Sequence, residues 1–361
     1  MIITEVIPSW FEYPLTIKIG AMPKFKITGT ILRIKTDENI EGIAGTHFVN
    51  ADNSLVAHIK RWQKILLKQD PFDIEKIWRD IYNTQNRILL GIPHALSVID
   101  CALHDLKGKA LGKPVYQLLG GYQHKVKAYA SFPWWVNPIQ LKGYLDPAMN
   151  RGFKAVKVRI GKDLEWDERV LKTVRDLGGN DLEIMADVNS GYSMRQALKV
   201  ARVAERLDLR WLEEPLPSDD LTGLAELRNK VDVDIAGGEN DAFTWRFREI
   251  LERNAYDIIQ PDVTRSGGIT EVKKIAAIAE SFGKLCVNHI FGVGPIQYAN
   301  LQLLGAISNS PYMEYGFFPD EFLLTTDPIE IDKEGYAILP NKPGLGFELD
   351  EKALKKYEIH S

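Results

Sequence analysis

Residues 182–189 read Leu182-Glu-Ile-Met-Ala-Asp-Val-Asn189, and residues 209–213 read Leu209-Arg-Trp-Leu-Glu213. Between them, Met194–Leu207 places Leu198, Ala201, Val203, Ala204 and Leu207 on one side of a helix, with Ser193 as its N-cap. A short apolar run closed by a carboxylate, a helix, and a second such run make one parallel β-α-β step. The step recurs in both directions along the chain. Further strands are expected at Val126–Ser131, Lys154–Arg159, Val233–Gly237, Tyr256–Pro261, Lys284–His289 and Tyr312–Glu314. A second clear helix, Glu271–Phe282, carries Val272, Ile275, Ala276, Ala279 and Phe282 and stops at Gly283. Eight strands with helical crossovers in about 190 residues predict an α/β fold, a closed parallel barrel. The competing arrangement, an open doubly wound sheet, expects a Gly-x-Gly-x-x-Gly turn after a strand. Gly292-Val-Gly294 comes nearest, with Gln297 where the third glycine belongs.

Upstream of Gly120-Gly121 the pattern is different. Lys24–Thr36 alternates β-branched and polar residues as a half-buried antiparallel strand does. Helical stretches follow at Ser54–Lys68, Ile74–Asn83 and Pro93–Leu111. The last aligns Ala95, Val98, Ile99, Ala102, Leu103 and Leu106 on one face and ends at Gly112 and Pro114. Strands followed by helices without alternation indicate an α+β unit. No long Ser/Gly/Pro linker separates it from the barrel, so the two are expected to pack tightly.

Composition narrows the function. The chain has 361 residues, 45% of them hydrophobic, which is enough for a large core and excludes disorder over most of its length. The 45 basic and 49 acidic residues give a net charge of −4 with no basic block, so no nucleic-acid partner is expected. No apolar run is long enough for a membrane span, and the N-terminus lacks a signal-peptide pattern. Cys101 and Cys286 are too few for a disulfide framework or a Cys-rich zinc site, and with the other features they suit a cytoplasmic protein.

The chemistry sits where the strands end. Lys157 and Arg159 close the second strand, Asp187 the third and Glu213 the fourth. Glu239 follows the fifth, Asp262 the sixth, His289 closes the seventh and Glu314 the eighth. From Lys157 to Glu314 the separations are 30, 26, 26, 23, 27 and 25 residues, one β-α unit per step. The carboxyl ends of different barrel strands converge on one mouth, where barrel enzymes carry their active sites. Taken singly, each residue has a plain reading: a strand-end carboxylate often caps a helix or faces solvent, and a lone histidine is usually just hydrogen-bonded. The common register argues against that many separate coincidences.

Asp187, Glu213 and Glu239 offer three hard oxygen ligands from adjacent strands, which favours Mg²⁺, with Mn²⁺ as a substitute ion. The other histidines show no zinc-ligand spacing. Lys157 and Arg159, two apart on a strand, point to one side and form a positive wall. Their mutual repulsion predicts a lowered Lys157 pKa and a usable base. Asp262 and His289 suit a dyad in which the carboxylate fixes the imidazole tautomer. Glu314, if kept neutral by burial, would donate to a developing oxyanion.

These segments resemble the enolase superfamily, in its mandelate racemase-like subgroup, over nearly the whole chain. The resemblance rests on His94-Ala-Leu-Ser-Val-Ile-Asp-Cys-Ala-Leu-His-Asp-Leu-Lys-Gly-Lys109 running into Gly112–Gly121, and on Gly152–Gly161 in the place of a Lys-x-Lys motif. It continues with Asp187-Val-Asn189, Trp211-Leu-Glu-Glu-Pro215, Gly238-Glu-Asn240, Pro261-Asp262, Asn288-His289 and Met313-Glu314-Tyr315. It implies a (β/α)₇β TIM-like barrel (122–317) with an α+β capping domain formed by 1–121 and completed by 318–361. It also implies loops at Thr16–Met22 and Thr46–Asn50 over the mouth, a small carboxylate substrate and a homo-oligomer. Muconate lactonisers fit less well, because of the Asp262/His289 pair and Glu239 as third ligand.

One position departs from the family. Where a second lysine commonly serves as a base, this chain has Arg159, a poor base and a good carboxylate clamp. Racemisation needs acid/base groups on both faces of the enediolate, whereas elimination can run with one residue acting twice. The expectation is therefore an acid-sugar dehydratase, a lyase acting on an aldonate or aldarate. His289 and Lys157 share the base and acid roles, and Glu314 steadies the enediolate. The alternative is a racemase or epimerase of a 2-hydroxy acid or amino-acid derivative. Asn189, His47 and Trp134 are candidates for substrate contact, although Trp134 is also suited to packing under the cap.

Overall fold

Three antiparallel strands open the chain, β1 (Ile3–Ile17), β2 (Phe25–Thr36) and β3 (Glu41–His47). The computed structural model describes residues 1–17, 25–47, 52–85 and 93–359. The alternation read over Lys24–Thr36 is β2, which pairs with both neighbours along its length. Helices Asp52–Leu66, Ile74–Gln85 and Pro93–Ala110 follow close to their expected bounds. The third differs from the expected one-faced helix: it is buried almost all round, wedged between the cap sheet and the barrel.

Its polar residues become junction bonds. Asp105 accepts from Ile43 N (2.8 Å) and Leu345 N (2.7 Å), and Asp100 accepts from Thr270 N at 2.9 Å. Burial pushes the Asp100 carboxyl up to about 7, because the ionised form is costly away from water. A folded-state pKa above the unfolded value means that this group's contribution to stability is full at low pH. It is lost as pH rises from about 4 through about 7. Asp100→Asn is expected to flatten that part of the stability curve, and urea midpoints measured between pH 5 and 8 check it.

Eight parallel strands then alternate with helices: β4 (Lys125–Ser131), β5 (Ala155–Arg159), β6 (Glu183–Asp187), β7 (Trp211–Glu213), β8 (Asp234–Gly237), β9 (Ile258–Ile259), β10 (Leu285–Cys286) and β11 (Tyr312–Gly316). The sheet order runs from β10 down to β4 and on to β11. Tyr129, Ala155, Met185, Trp211, Ala236, Ile258, Val287 and Tyr312, one from each strand position, form a single buried cluster inside the curl. Such a layer fills the interior of a parallel barrel. Between the two end strands, Cys286 N donates to Asn309 O (3.0 Å) and Ile290 N to the Glu314 carboxylate (2.8 Å).

β9 and β10 are only two residues long. Pro261 has no N–H for a ladder, and Asp262 turns the chain by accepting from Thr264 N at 2.8 Å. Asp262 and His289 therefore sit in the loops beyond their strands. Two strands not anticipated come last. β12 (Tyr336–Ile338) pairs antiparallel with β4, and β13 (Glu358–Ile359) pairs with β1, so the chain's end joins the first sheet. Both cysteines are free and buried, and no helix among the described residues is long and apolar enough to cross a membrane.

Candidate active site

Strand register builds the centre of the mouth. Arg159 lies opposite Asp187 and Asp187 opposite Glu213 on neighbouring parallel strands. Three side chains thus reach the mouth from one rung. Gly237 ends β8, and Glu239 follows two residues on. One carboxylate oxygen from each of Asp187, Glu213 and Glu239 lies within 4.8 Å of the others, and all three residues are buried.

The donor set fits a hard divalent ion. It is all oxygen, and Glu239 Oε2 is buried with no hydrogen bond, although His289 Nε2 lies 3.3 Å away. Among the described residues, Lys157, Arg159 and Arg265 are the cations beside five mouth carboxylates, Asp187, Glu213, Glu239, Asp262 and Glu314. With all five ionised, two negative charges are left over, the charge of one divalent ion; burial raises the Asp187 carboxyl to about 7 against the opposing pull of Arg159 and Lys157, so a cation among the three carboxylates would hold it ionised. Glu214 adds none: burial, Glu239 and Asp187 hold its carboxyl well above the usual range.

Two electrostatic expectations are corrected here. Lys157 was expected to have a lowered pKa beside Arg159. Instead Lys157 Nζ lies 2.5 Å from Glu213 Oε1, 2.8 Å from Glu314 Oε1 and 3.7 Å from Asp187 Oδ2. Burial alone would push the ammonium down, but these carboxylates outweigh it and its pKa is raised. Glu314 was expected to be a neutral donor. Burial favours that, yet Lys157 and His289 hold its carboxyl below the usual range, and it accepts from Lys157 and Ile290 N. Both corrections have one cause: the curl of the barrel turns the side chains of Glu213 on β7 and Glu314 on β11, each two strands from β5, inward onto Lys157, a meeting absent from linear order.

Arg159 donates to Asp187 and, at 2.7 Å, to Asn189 Oδ1, so Asn189 holds the positive wall in place. The opposite wall is the dyad. His289 Nδ1 lies 3.1 Å from Asp262 Oδ2, which leaves Nε2 facing the ligand cluster. Burial opposes the Asp262 charge, but His289, Arg265 and the Thr264 donors hold its pKa at about 2. Burial likewise lowers the His289 pKa, and Glu239 and Asp262 outweigh it, so the imidazole is shifted upward.

Trp134 is half-buried. Its Nε1 donates to Tyr144 Oη at 3.0 Å, and its ring meets Tyr144 and Phe318 edge-on, in an aromatic cluster at the rim. His47, at the end of β3, is buried and stacked on Tyr13, with Nδ1 unpartnered. Its ring presses on Gly292, whose φ of +134° suits glycine. A Cβ there would come within 2.6 Å of His47 Cδ2. Gly292→Ala is expected to displace His47 and raise KM for the substrate, which steady-state kinetics would show. Of the two expected covering loops, Thr16–Met22 and Thr46–Asn50, residues 18–22 and 48–50 lie outside the described residues.

Sequence reasoning missed three residues. Gln260 Nε2 (2.8 Å) and Trp211 Nε1 (3.1 Å) both donate to Glu213 Oε2 and aim its other oxygen. Arg265 stands beside Asp262 and Glu239, 3.7 Å from each. Its only signal was a position three residues after Asp262, in the turn Pro261-Asp-Val-Thr-Arg-Ser-Gly267.

Comparison with known proteins agrees with this geometry. Residues 1–120 match the family described as mandelate racemase / muconate lactonizing enzyme, N-terminal domain, and residues 144–353 match the enolase C-terminal domain-like family. The chain is 33% identical to arabinonate dehydratase of Saccharolobus solfataricus over 356 residues, 96% of this chain and 94% of that protein. It is 33% identical to D-galactarolactone cycloisomerase of Agrobacterium fabrum, covering 84% of each chain. The crystal structure of a racemase from Streptomyces coelicolor with bound magnesium superposes with a TM-score of 0.90 at 27% identity, covering 99% of this chain and 100% of that one. Other similar proteins are named as dehydratases, and one as a racemase. With its capped barrel, its carboxylate triad and its Asp–His pair, the chain belongs to the mandelate racemase / muconate lactonizing enzyme family of the enolase superfamily, a family of dehydratases and isomerases.

Proposed function

We propose that this enzyme is a Mg²⁺-dependent acid-sugar dehydratase that converts a 2,3-dihydroxy acid into a 2-keto-3-deoxy acid. The observation that carries the reading is the difference between the two walls of the mouth. On one wall, Lys157 and Arg159 are engaged as cations with Glu213, Glu314, Asp187 and Asn189. On the other, His289 presents Nε2 with its tautomer set by Asp262. One wall holds charge and the other moves protons. Elimination needs only this, whereas racemisation needs a working base on each side. The 33% identity to an arabinonate dehydratase supports the same substrate class.

Asp187, Glu213 and Glu239 would hold the Mg²⁺, which supplies positive charge next to the substrate carboxylate when bound. His289 Nε2 takes the proton from Cα, and the electron pair moves toward the carboxylate. Lys157 and Arg159 present their charge where that negative charge accumulates. Glu314 holds Lys157 at its place. The C3–O bond then breaks, His289 returns its proton to the leaving oxygen, and water departs. The resulting enol tautomerises to the 2-keto acid. Because one imidazole acts twice, hydrogen and hydroxyl leave from one face.

The test is a panel of aldonates and aldarates incubated with enzyme and Mg²⁺ and assayed for 2-keto acid. Formation of a 2-keto-3-deoxy acid supports the reading. Exchange of the α-proton with unchanged substrate composition would make the enzyme an epimerase. The same reading carries Mn²⁺ as a substitute ion, a cytoplasmic setting and the division into 1–121, 122–317 and 318–361, which the pairing of β13 with β1 supports. It also carries a symmetric assembly of several copies, measurable by light scattering.

A further inference from the structure

Two loops leave the positive side of the mouth, one after Arg159 and one after Asp187, and a single carboxylate outside the mouth ties them together. Asp167 lies in the helix Leu164–Gly178, whose N-cap is Asp163, so its side chain is not needed to close that helix. It is fully buried, and each of its oxygens is committed to a different loop. Oδ1 accepts from Gly161 N (2.9 Å) and Lys162 N (3.1 Å), just past Arg159. Oδ2 accepts from the Tyr192 phenol at 2.5 Å, three residues past Asn189. On the mouth side the same two loops are joined by Arg159, which donates to Asn189 Oδ1 at 2.7 Å.

The loop that carries Asn189 does not keep its shape by local preference. Asn189 and Ser190 have φ of +48° and +60°, consecutive non-glycine residues in the left-handed region, and such a backbone persists only where its surroundings fix it. Ser190 N donates to Glu214 O at 2.8 Å. Tyr192 is the next anchor, with its N on Pro215 O (3.3 Å) and its phenol on Asp167. The neighbouring loop is fitted against this one: a Cβ at Gly161 would come within 2.8 Å of Val188 O. Asp187 depends less on the clamp, because its backbone is laddered between β5 and β7. A fixed charge serves catalysis only where it already points at the place where charge develops. Resting on the dehydratase reading, in which Arg159 meets the negative charge building on the substrate carboxylate, we propose that Asp167 and Tyr192 are positioning residues. Their bond holds the loop at Asn189, and Asn189 in turn sets the direction of the Arg159 guanidinium.

The experiment is a double-mutant cycle on the Mg²⁺-loaded enzyme, with the rate read as α-proton exchange into D₂O on the acid of the panel that the parent turns over fastest. Tyr192→Phe removes the phenol oxygen and keeps the ring. It is expected to lower kcat and kcat/KM together by about tenfold, the scale of a misdirected group, while calorimetric Mg²⁺ affinity stays at the parent value. Asn189→Gly tolerates the left-handed φ but has no Oδ1 for Arg159. In that background the same Tyr192→Phe change is expected to cost less than about twofold, because the chain of contacts is already cut. Asp167→Asn can still accept from both backbone N–H groups and donate to Tyr192 Oη, so it is expected to retain most of the activity that Asp167→Ala loses. A Tyr192→Phe enzyme as fast as the parent overturns the proposal. So does an equal loss in both backgrounds, which a role in folding alone would give. A loss that extra Mg²⁺ restores also overturns it, since the clamp would then act on Asp187. Product analysis tests the underlying reading separately: exchange without 2-keto acid ends the dehydratase reading, and the cycle still decides the clamp. An enzyme that exchanges no acid of the panel removes both.

Discussion

Replacing His289 by asparagine is expected to lower kcat by about 10⁴-fold, the scale on which loss of a positioned acid–base group is felt. Among the described residues, this imidazole faces the carboxylate cluster with its tautomer held, Nδ1 on Asp262 and Nε2 toward Glu239. In the proposed sequence it acts twice, so its loss removes both proton transfers. Mg²⁺ affinity should change little, because Asp187, Glu213 and Glu239 remain. Steady-state kinetics and calorimetric metal titration on the same preparation check both halves. A variant that kept full activity would shift the acid–base role to the opposite wall.

Lys157→Met should produce the largest change in stability. Removing one partner of a buried ion pair leaves the other charge uncompensated, at a cost of about 3–5 kcal/mol. Here the loss is shared by Glu213 and Glu314, both buried and both bonded to Nζ. In the variant these carboxylates are expected to titrate at higher pH than in the unfolded chain. The deficit is therefore smallest at low pH, where they are protonated in both states, and grows as pH rises. Added Mg²⁺ should recover part of it by replacing the lost positive charge. Urea unfolding at pH 5 and pH 8, with and without Mg²⁺, measures both effects. A deficit independent of pH and metal would mean that Lys157 acts through packing alone.

Much of this site is legible in the sequence. Asp187, Glu213 and Glu239 end apolar runs one β-α unit apart, and parallel strands of like length in register must bring such ends together. The Asp262–His289 pair followed from the same period. Asn189 was expected to contact substrate from its place beside Asp187; the partner the fold gives its Oδ1 is Arg159. Trp134 packs at the rim against Tyr144 and Phe318, the plainer of its two readings. β1 and β3 were not singled out, because Pro8 and Pro14 interrupt the alternation of β1 and two glycines weaken that of β3.

Protonation states were less legible, since they depend on distances across the barrel. Sequence order places Lys157 next to Arg159 and suggests repulsion. The fold places it between Glu213 and Glu314, which lie 56 residues downstream and on the eighth strand, and reverses the sign. Arg265 shows the same limit. A loop arginine three residues past Asp262 has no periodicity to give it a direction, and only the turn at Asp262 sets it beside Glu239.

By itself, the order of residues determined the barrel, its cap, the gathering of the carboxylates Asp187, Glu213 and Glu239, and the Asp262–His289 pair. Each of these rests on local patterning repeated at a fixed period, and patterning is a property of the chain. Tertiary structure alone decided which charges stand paired and which donors stay open at the mouth. Coulombic and hydrogen-bond energies depend on separations of a few ångströms, and those are set by strands far apart in the sequence.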